Sequence, residues 1–154
     1  MKINLIATGS LKEDYLESAQ DELLGIIFRK CQSKGREFNF LQLREEMTGD
    51  EPSQAIIDKA LKIEGERILG SLKDRNYLII LDIEGKPAHG TTFAEIIGEA
   101  ADRGFPEIAI LIGSSHGLSR EVKDRANRKV SFSNLTFPHQ LFRIAVLDAL
   151  TKQL

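Results

Sequence analysis

Cys31 is the only cysteine in this chain of 154 residues. One thiol excludes an intrachain disulfide and any cysteine-built metal cluster within one chain, and it fits a reducing cytoplasm, the expected location. Long apolar runs are also lacking. The first, Ile3 to Ala7, is interrupted by Asn4, too short for a signal-peptide core or a membrane span, and none of those that follow is longer enough to matter. A strong basic excess is missing as well: the formal net charge is −2, which describes a soluble protein better than a typical nucleic-acid binder. The signature motifs of several chemistries do not occur. There is no G-x-G-x-x-G, no phosphate-binding G-x-x-x-x-G-K-[ST], no H-E-x-x-H and no G-x-S-x-G. His89, His116 and His139 stand singly, so no metal is assigned, and Ser10, Ser114 and Ser133 carry nothing that marks a nucleophile.

What is present suffices for one domain spanning 1–154, since 42% of the residues are hydrophobic. Charge is uneven. Residues 101–154 hold eight Lys or Arg against five Asp or Glu, and the segment Ser119 to Lys129 alone holds five against two. Such a run is most often a solvated helix face.

Hydrophobic spacing predicts strands and helices in alternation. Lys2 to Thr8 reads as a buried strand, Leu11 to Lys30 as a helix, and Glu37 to Arg44 as an edge strand. Ser53 is positioned to cap a helix whose apolar face would be Ile56, Ile57, Ala60, Leu61, Ile63, Ile68 and Leu69. Tyr77 to Ile83 reads as a central strand, closed by Gly85 and Pro87. A helix from Thr91 or Thr92, a strand after Pro106, a helix from Ser119, a short strand Val130 to Phe132 and a last helix from Pro138 complete the pass. Alternation of this kind predicts an α/β fold, a parallel sheet with helices on both faces, and such sheets bind ligands beyond the carboxyl ends of their strands.

Three loops at those ends stand out. In "LDIEGKPAHG", Asp82 and Glu84 are candidates for a metal or for bases, or simply close a buried strand. In "IGSSHGLS", Gly113 permits close backbone approach and the helix that follows offers free amides. In "SFSNLTFPHQLFR", Leu135 and Phe137 either wall a flat ring or, with Leu141 and Phe142, plug the core, and Pro138 suits a first helical turn.

Together the segments "KINLIATGSLKEDYL", "KIEGERIL", "LDIEGKP", "LIGSSHGLS" and "SFSNLTFPHQLFR" resemble, in order and separation, the RlmH-type (YbeA) methyltransferases of the SPOUT class. The resemblance covers nearly the whole chain. It implies a three-layer α/β sandwich with a carboxy-terminal trefoil knot, a homodimer with its active site near the subunit interface, and no membrane. It further implies methyl transfer from S-adenosylmethionine to N3 of a pseudouridine in 23S, large-subunit ribosomal RNA on the assembled ribosome. Carried onto this chain, the matching motifs place Leu81 beside the cofactor, Gly113 close to it, and Phe132, Ser133, Asn134, Leu135, Thr136 and Phe137 around its adenine and ribose. Arg143 is then the candidate for contact with RNA phosphate or for shaping the catalytic pocket, Arg125 and Arg128 for RNA contact, and His139 for ordering its loop. The chain departs from the family pattern at Gly113-Ser114, where Gly-Gly is usual, and at "DALTKQL", where the family has Tyr-Arg-Ala and a Pro-Tyr-His tail. The second departure raises an alternative expectation, a dimer that binds S-adenosylmethionine or RNA without turnover.

Overall fold

The computed structural model describes residues 1–132 and 137–154. Its elements run β1 (Lys2–Thr8), α1 (Asp14–Ser33), β2 (Glu37–Leu43), α2 (Gln54–Ser71), β3 (Asn76–Pro87), α3 (Thr92–Asp102), β4 (Glu107–Ile112), α4 (Arg120–Arg125), β5 (Arg128–Ser131) and α5 (His139–Gln153). The strands form one sheet in the order β2-β1-β4-β3-β5, and every neighbouring pair is parallel. The expected α/β sandwich is therefore the observed architecture, and the strand expected to be central, β3, is interior to the sheet. The centre of the sheet is β4, Glu107–Ile112, and β3 lies between β4 and β5. Both strands are continuous apolar runs, which is what burial on two faces demands, so their composition alone does not say which is innermost.

Side chains of successive strand residues point to opposite faces. Ile3, Leu5, Tyr77, Ile79, Ile108 and Ile110 therefore join one core, which α1, α3 and α5 cover. Ile6, Leu78, Ile80, Ala109 and Leu111 join the other, which α2 and α4 cover. The edge strand β2 behaves as its alternating sequence predicts, with Phe38 buried between exposed Glu37 and Asn39.

Helix α2 starts as expected, the Ser53 hydroxyl accepting a hydrogen bond from the Ile56 amide at 3.3 Å. Its buried face overlaps the expected one only in part, Ala60 and Ile68 being buried and Ile57, Leu61, Ile63 and Leu69 half-buried. Ala60, Glu64, Gly65 and Ile68 point inward, while Ile56 is 49% exposed. A β-carbon at Gly65 would overlap the Ser119 hydroxyl, so the bare glycine is what allows α2 to press against the start of α4 and turns the helix onto that side.

Strand β3 continues past its sheet partner. Val130 pairs first with Leu81 and again with Lys86, the chain between bulging around β5. A β-carbon at Gly85 would lie 2.6 Å from both Lys129 C and Val130 N. The Ala88 amide then donates to the Ser131 carbonyl at 2.8 Å, closing the clasp.

Candidate active site

Strands β1 and β3 both send their following helices, α1 and α3, to one face of the sheet, whereas β4 sends α4 to the other. Chain leaving adjacent strands in opposite directions opens a crevice at their carboxyl ends. Because β4 lies between β1 and β3, there is such a crevice on each side of it, and β1 and β2 diverge as well, since α2 joins α4 on the second face.

The crevice between β3 and β4 is a cleft of about 350 Å³, within the roughly 300–1,000 Å³ of ligand pockets. Leu81, Asp82 and Ile83 form one side, the turn from Gly113 to Leu118 forms the floor, and Lys123, His139 and Phe142 complete it. Gly113 is required by the floor itself: a β-carbon there would sit 2.7 Å from the Gly117 carbonyl oxygen and 2.8 Å from Leu118 Cδ2. The turn folds back on that bare position, with the Gly117 amide donating to the Ser114 carbonyl at 2.9 Å. Ser114 fits without a left-handed backbone. Its hydroxyl donates to Glu64 Oε1 at 2.7 Å, and Glu64 Oε2 accepts the Glu46 amide at 2.8 Å. A buried carboxylate thus ties the cleft floor to α2 and to the chain after β2. Thr48 Oγ1 and His116 Nε2, 3.1 Å apart, make a second tie between the same two segments.

Two polar atoms at this cleft are buried without a hydrogen-bond partner among the described residues, Asp82 Oδ2 and His139 Nε2. The Asp82 carboxylate faces the Lys123 ammonium at 3.6 Å, and its other oxygen accepts the Glu84 amide at 3.2 Å. Burial, and then the nearby Arg143 charge, lower the pKa of His139, with Glu45 opposing, so the imidazole is held toward its neutral form. No cluster of three or more His, Cys, Asp or Glu among the described residues is placed to hold a metal.

Leu81 and Gly113, both expected beside the cofactor, line the cleft. Phe132 and Phe137 reach it through Phe142, their ring centroids lying 5.9 and 6.5 Å from the Phe142 ring. Ser133, Asn134, Leu135 and Thr136 lie outside the described residues. Phe137 and Leu141 are 44% and 45% exposed, so neither plugs the core.

Of the two roles expected for Arg143, burial is compatible with shaping the pocket and not with a surface phosphate contact. Arg143 is 2% exposed, and its guanidinium donates to the Thr8 and Gly9 carbonyls at 3.2 and 3.0 Å and to Gln20 and Gln42 at 3.3 Å each. It therefore organises the end of β1 from inside. Arg125 donates to the Asn76 carbonyl at 2.8 Å, at the start of β3, the end of that strand away from the cleft. Arg128 pairs with Glu99 at 2.6 Å. Both are engaged within the chain, and the structure does not bring either to the cleft. Lys123 and Ser115 at the cleft were not singled out by sequence. Phe142 was named only as a core plug, although it lies three residues after His139 and so shares its helix face.

The amino-acid sequence matches known proteins over nearly its whole length. A family model described as "Predicted SPOUT methyltransferase" matches residues 1–153. The chain belongs to the SPOUT methyltransferases. Its relatives include the proteins named "Ribosomal RNA large subunit methyltransferase H" from Streptococcus pneumoniae strains CGSP14, ATCC 700669 and 70585. Each is 40% identical over 148 residues, 96% of this chain and 90% of theirs. Membership of the SPOUT methyltransferases implies a methyl donor of the S-adenosylmethionine type, and the β3–β4 cleft suits one. It combines apolar walls from Leu81, Ile112 and Phe142 with an unsatisfied carboxylate oxygen and imidazole nitrogen. Such a mixture fits a molecule with a flat ring, hydroxyls and a positive centre.

Proposed function

We propose that this chain transfers the methyl group of S-adenosylmethionine to N3 of a pseudouridine in 23S ribosomal RNA, acting as a homodimer on the assembled large subunit. The observation that carries the reading is the β3–β4 cleft at a point where chain directions diverge, lined by residues of the segments that carry the resemblance, within the stretch that the family model matches. The names of the relatives, each a methyltransferase of large-subunit ribosomal RNA, support the substrate class. The bulge of β3 around β5, with Gly85 against the Lys129–Val130 peptide, supports the trefoil knot that the resemblance implies. Tyr15, 68% exposed, and Leu141, 45% exposed, give apolar surface at the starts of α1 and α5 for a second copy to cover.

The bound cofactor supplies an electrophilic methyl on a sulfonium, and the task left to the protein is alignment. Leu81, Ile112 and Phe142 grip a flat ring by its faces and exclude water. Asp82 Oδ2 accepts from a ribose hydroxyl or faces the sulfonium charge, and Lys123 keeps that carboxylate in position. The Glu64–Ser114 hydrogen bond holds the floor fixed, so the donor has one pose. Phe132 and Phe137, packed against Phe142, close the adenine side in this reading. The test is transfer of labelled methyl to ribosomes lacking the modification, with free ribosomal RNA alongside, followed by mass mapping of the labelled nucleoside. Label in 3-methylpseudouridine of the large subunit is the expected result. Cofactor binding with no label on either substrate would instead make the chain a binding module without turnover.

A further inference from the structure

The β3–β4 cleft has two unlike sides. Its apolar walls, Leu81, Ile112 and Phe142, pack into the core that α1, α3 and α5 cover. Successive strand residues point to opposite faces, so Asp82 is turned the other way, toward α4 and Lys123. Lys123 is the one Lys or Arg among the described residues that line this cleft. Its ammonium lies 3.6 Å from Asp82 Oδ2, within reach of the charge but longer than a charge-assisted hydrogen bond. Other Lys pairs of the chain are closed: Lys73–Glu107 at 2.9 Å and Lys152–Asp148 at 3.0 Å. The Asp82 side chain is 7% exposed and that of Lys123 is 30% exposed, while Asp82 Oδ2 has no hydrogen-bond partner among the described residues. An ammonium held beside a buried carboxylate without closing on it keeps its N–H groups for a third partner, and that partner is an anion at the cleft.

We propose that Lys123 binds the carboxylate at the amino-acid end of the methyl donor, and that it makes the cleft selective for donors that carry one. The inference rests on the function proposed above and deepens it. A flat ring gripped by the apolar walls leaves the polar end of the molecule on the α4 side, where Lys123 stands. A carboxylate arriving there accepts from the ammonium, and the attraction between Lys123 and Asp82 persists, because three N–H groups serve both acceptors. The same cation works against a donor whose carboxylate is missing. Such a ligand brings its sulfonium and amine charges toward Lys123 with no negative group to offset them, so like charges meet where an ion pair would otherwise form. Lys123 is thus a specificity-determining residue as well as the support of Asp82.

The experiment is calorimetric titration of the full chain, native and Lys123→Met, with three ligands: S-adenosylmethionine, its decarboxylated form, and 5′-methylthioadenosine, which lacks the amino-acid end altogether. The native chain is expected to bind S-adenosylmethionine about tenfold or more tightly than the decarboxylated form. Lys123→Met keeps the length of the side chain and removes the charge. It is expected to bring the two sulfonium ligands to within about twofold of each other, while 5′-methylthioadenosine binds within about twofold of its native affinity. Equal affinity of the native chain for the two sulfonium ligands would overturn the proposal, and that comparison needs no variant. A preference that survives in Lys123→Met would overturn it as well. So would an equal loss for all three ligands in the variant, which would confine Lys123 to supporting Asp82 or the fold. Binding of none of the three by the native chain is a different failure: it refutes the donor cleft itself, and this role of Lys123 with it.

Discussion

Removing the Glu64 carboxylate should loosen the floor of the donor cleft, and the size of the effect follows from two hydrogen bonds. Glu64 is 4% exposed, accepting the Ser114 hydroxyl at 2.7 Å and the Glu46 amide at 2.8 Å. Hydrogen bonds to a charged group contribute about 1.5–3 kcal/mol each. Part of that is offset, because deleting the carboxylate also removes the cost of burying a charge. Glu64→Ala is therefore expected to destabilise the fold by about 2–4 kcal/mol, most of it by stranding the Ser114 hydroxyl and the Glu46 amide. Ser114→Ala should cost less, about 1–2 kcal/mol, and the double variant should cost less than the sum, with a coupling of about 1.5–3 kcal/mol. Glu64→Gln should recover most of the loss, since its amide oxygen accepts from the Glu46 amide while its NH2 donates to Ser114. Urea unfolding of the four proteins closes the cycle, and calorimetric titration with S-adenosylmethionine should show weaker binding in step with the lost coupling. A coupling below about 0.5 kcal/mol would mean that the two side chains do not interact, and the floor would have to be held by other contacts.

Three further outcomes are expected. Arg143→Ala should lower thermal stability sharply, by about 3 kcal/mol or more, because it strands the Thr8 and Gly9 carbonyls and empties a buried site; an unchanged melting temperature with lost RNA methylation would return Arg143 to a purely RNA-facing role. Stability should decline as the pH falls below the ordinary imidazole value of about 6.5, by at most about 1.4 kcal/mol per pH unit from this one group. Burial and Arg143 disfavour the charged His139 in the fold despite Glu45, so the unfolded chain takes up the proton first; unfolding measured between pH 8 and 5 should show the slope, and His139→Gln should flatten it. Gly85→Ala should cost about 1–3 kcal/mol in thermal unfolding, since its β-carbon meets the peptide between Lys129 and Val130 rather than a side chain that can move aside.

The layers of this fold were readable because strand and helix each leave a clear period in the sequence, and β1, β2 and β4 lie where that period puts them. Strand order was not, since β3 and β4 are alike in being apolar throughout. Glu64 shows a second limit. Its charge reads as solvent-facing, and only the close approach permitted by Gly65 puts it inside, against a serine fifty residues away. The arginines show a third: a long cation in a basic run reads the same whether it meets a phosphate or, like Arg125, a backbone carbonyl at 2.8 Å. Leu81 and Gly113 were found through the family's motifs, whereas the crevice between β1 and β4 depends on those strands being neighbours, which local patterns do not record.

The most direct test of the donor cleft is amide hydrogen exchange, followed by mass spectrometry, with and without S-adenosylmethionine. Slowed exchange at Leu81–Ile83 and Gly113–Leu118, together with residues 132–137, is the predicted result. Protection elsewhere, or none at saturating cofactor, would contradict the assignment of the methyl donor to the cleft between β3 and β4.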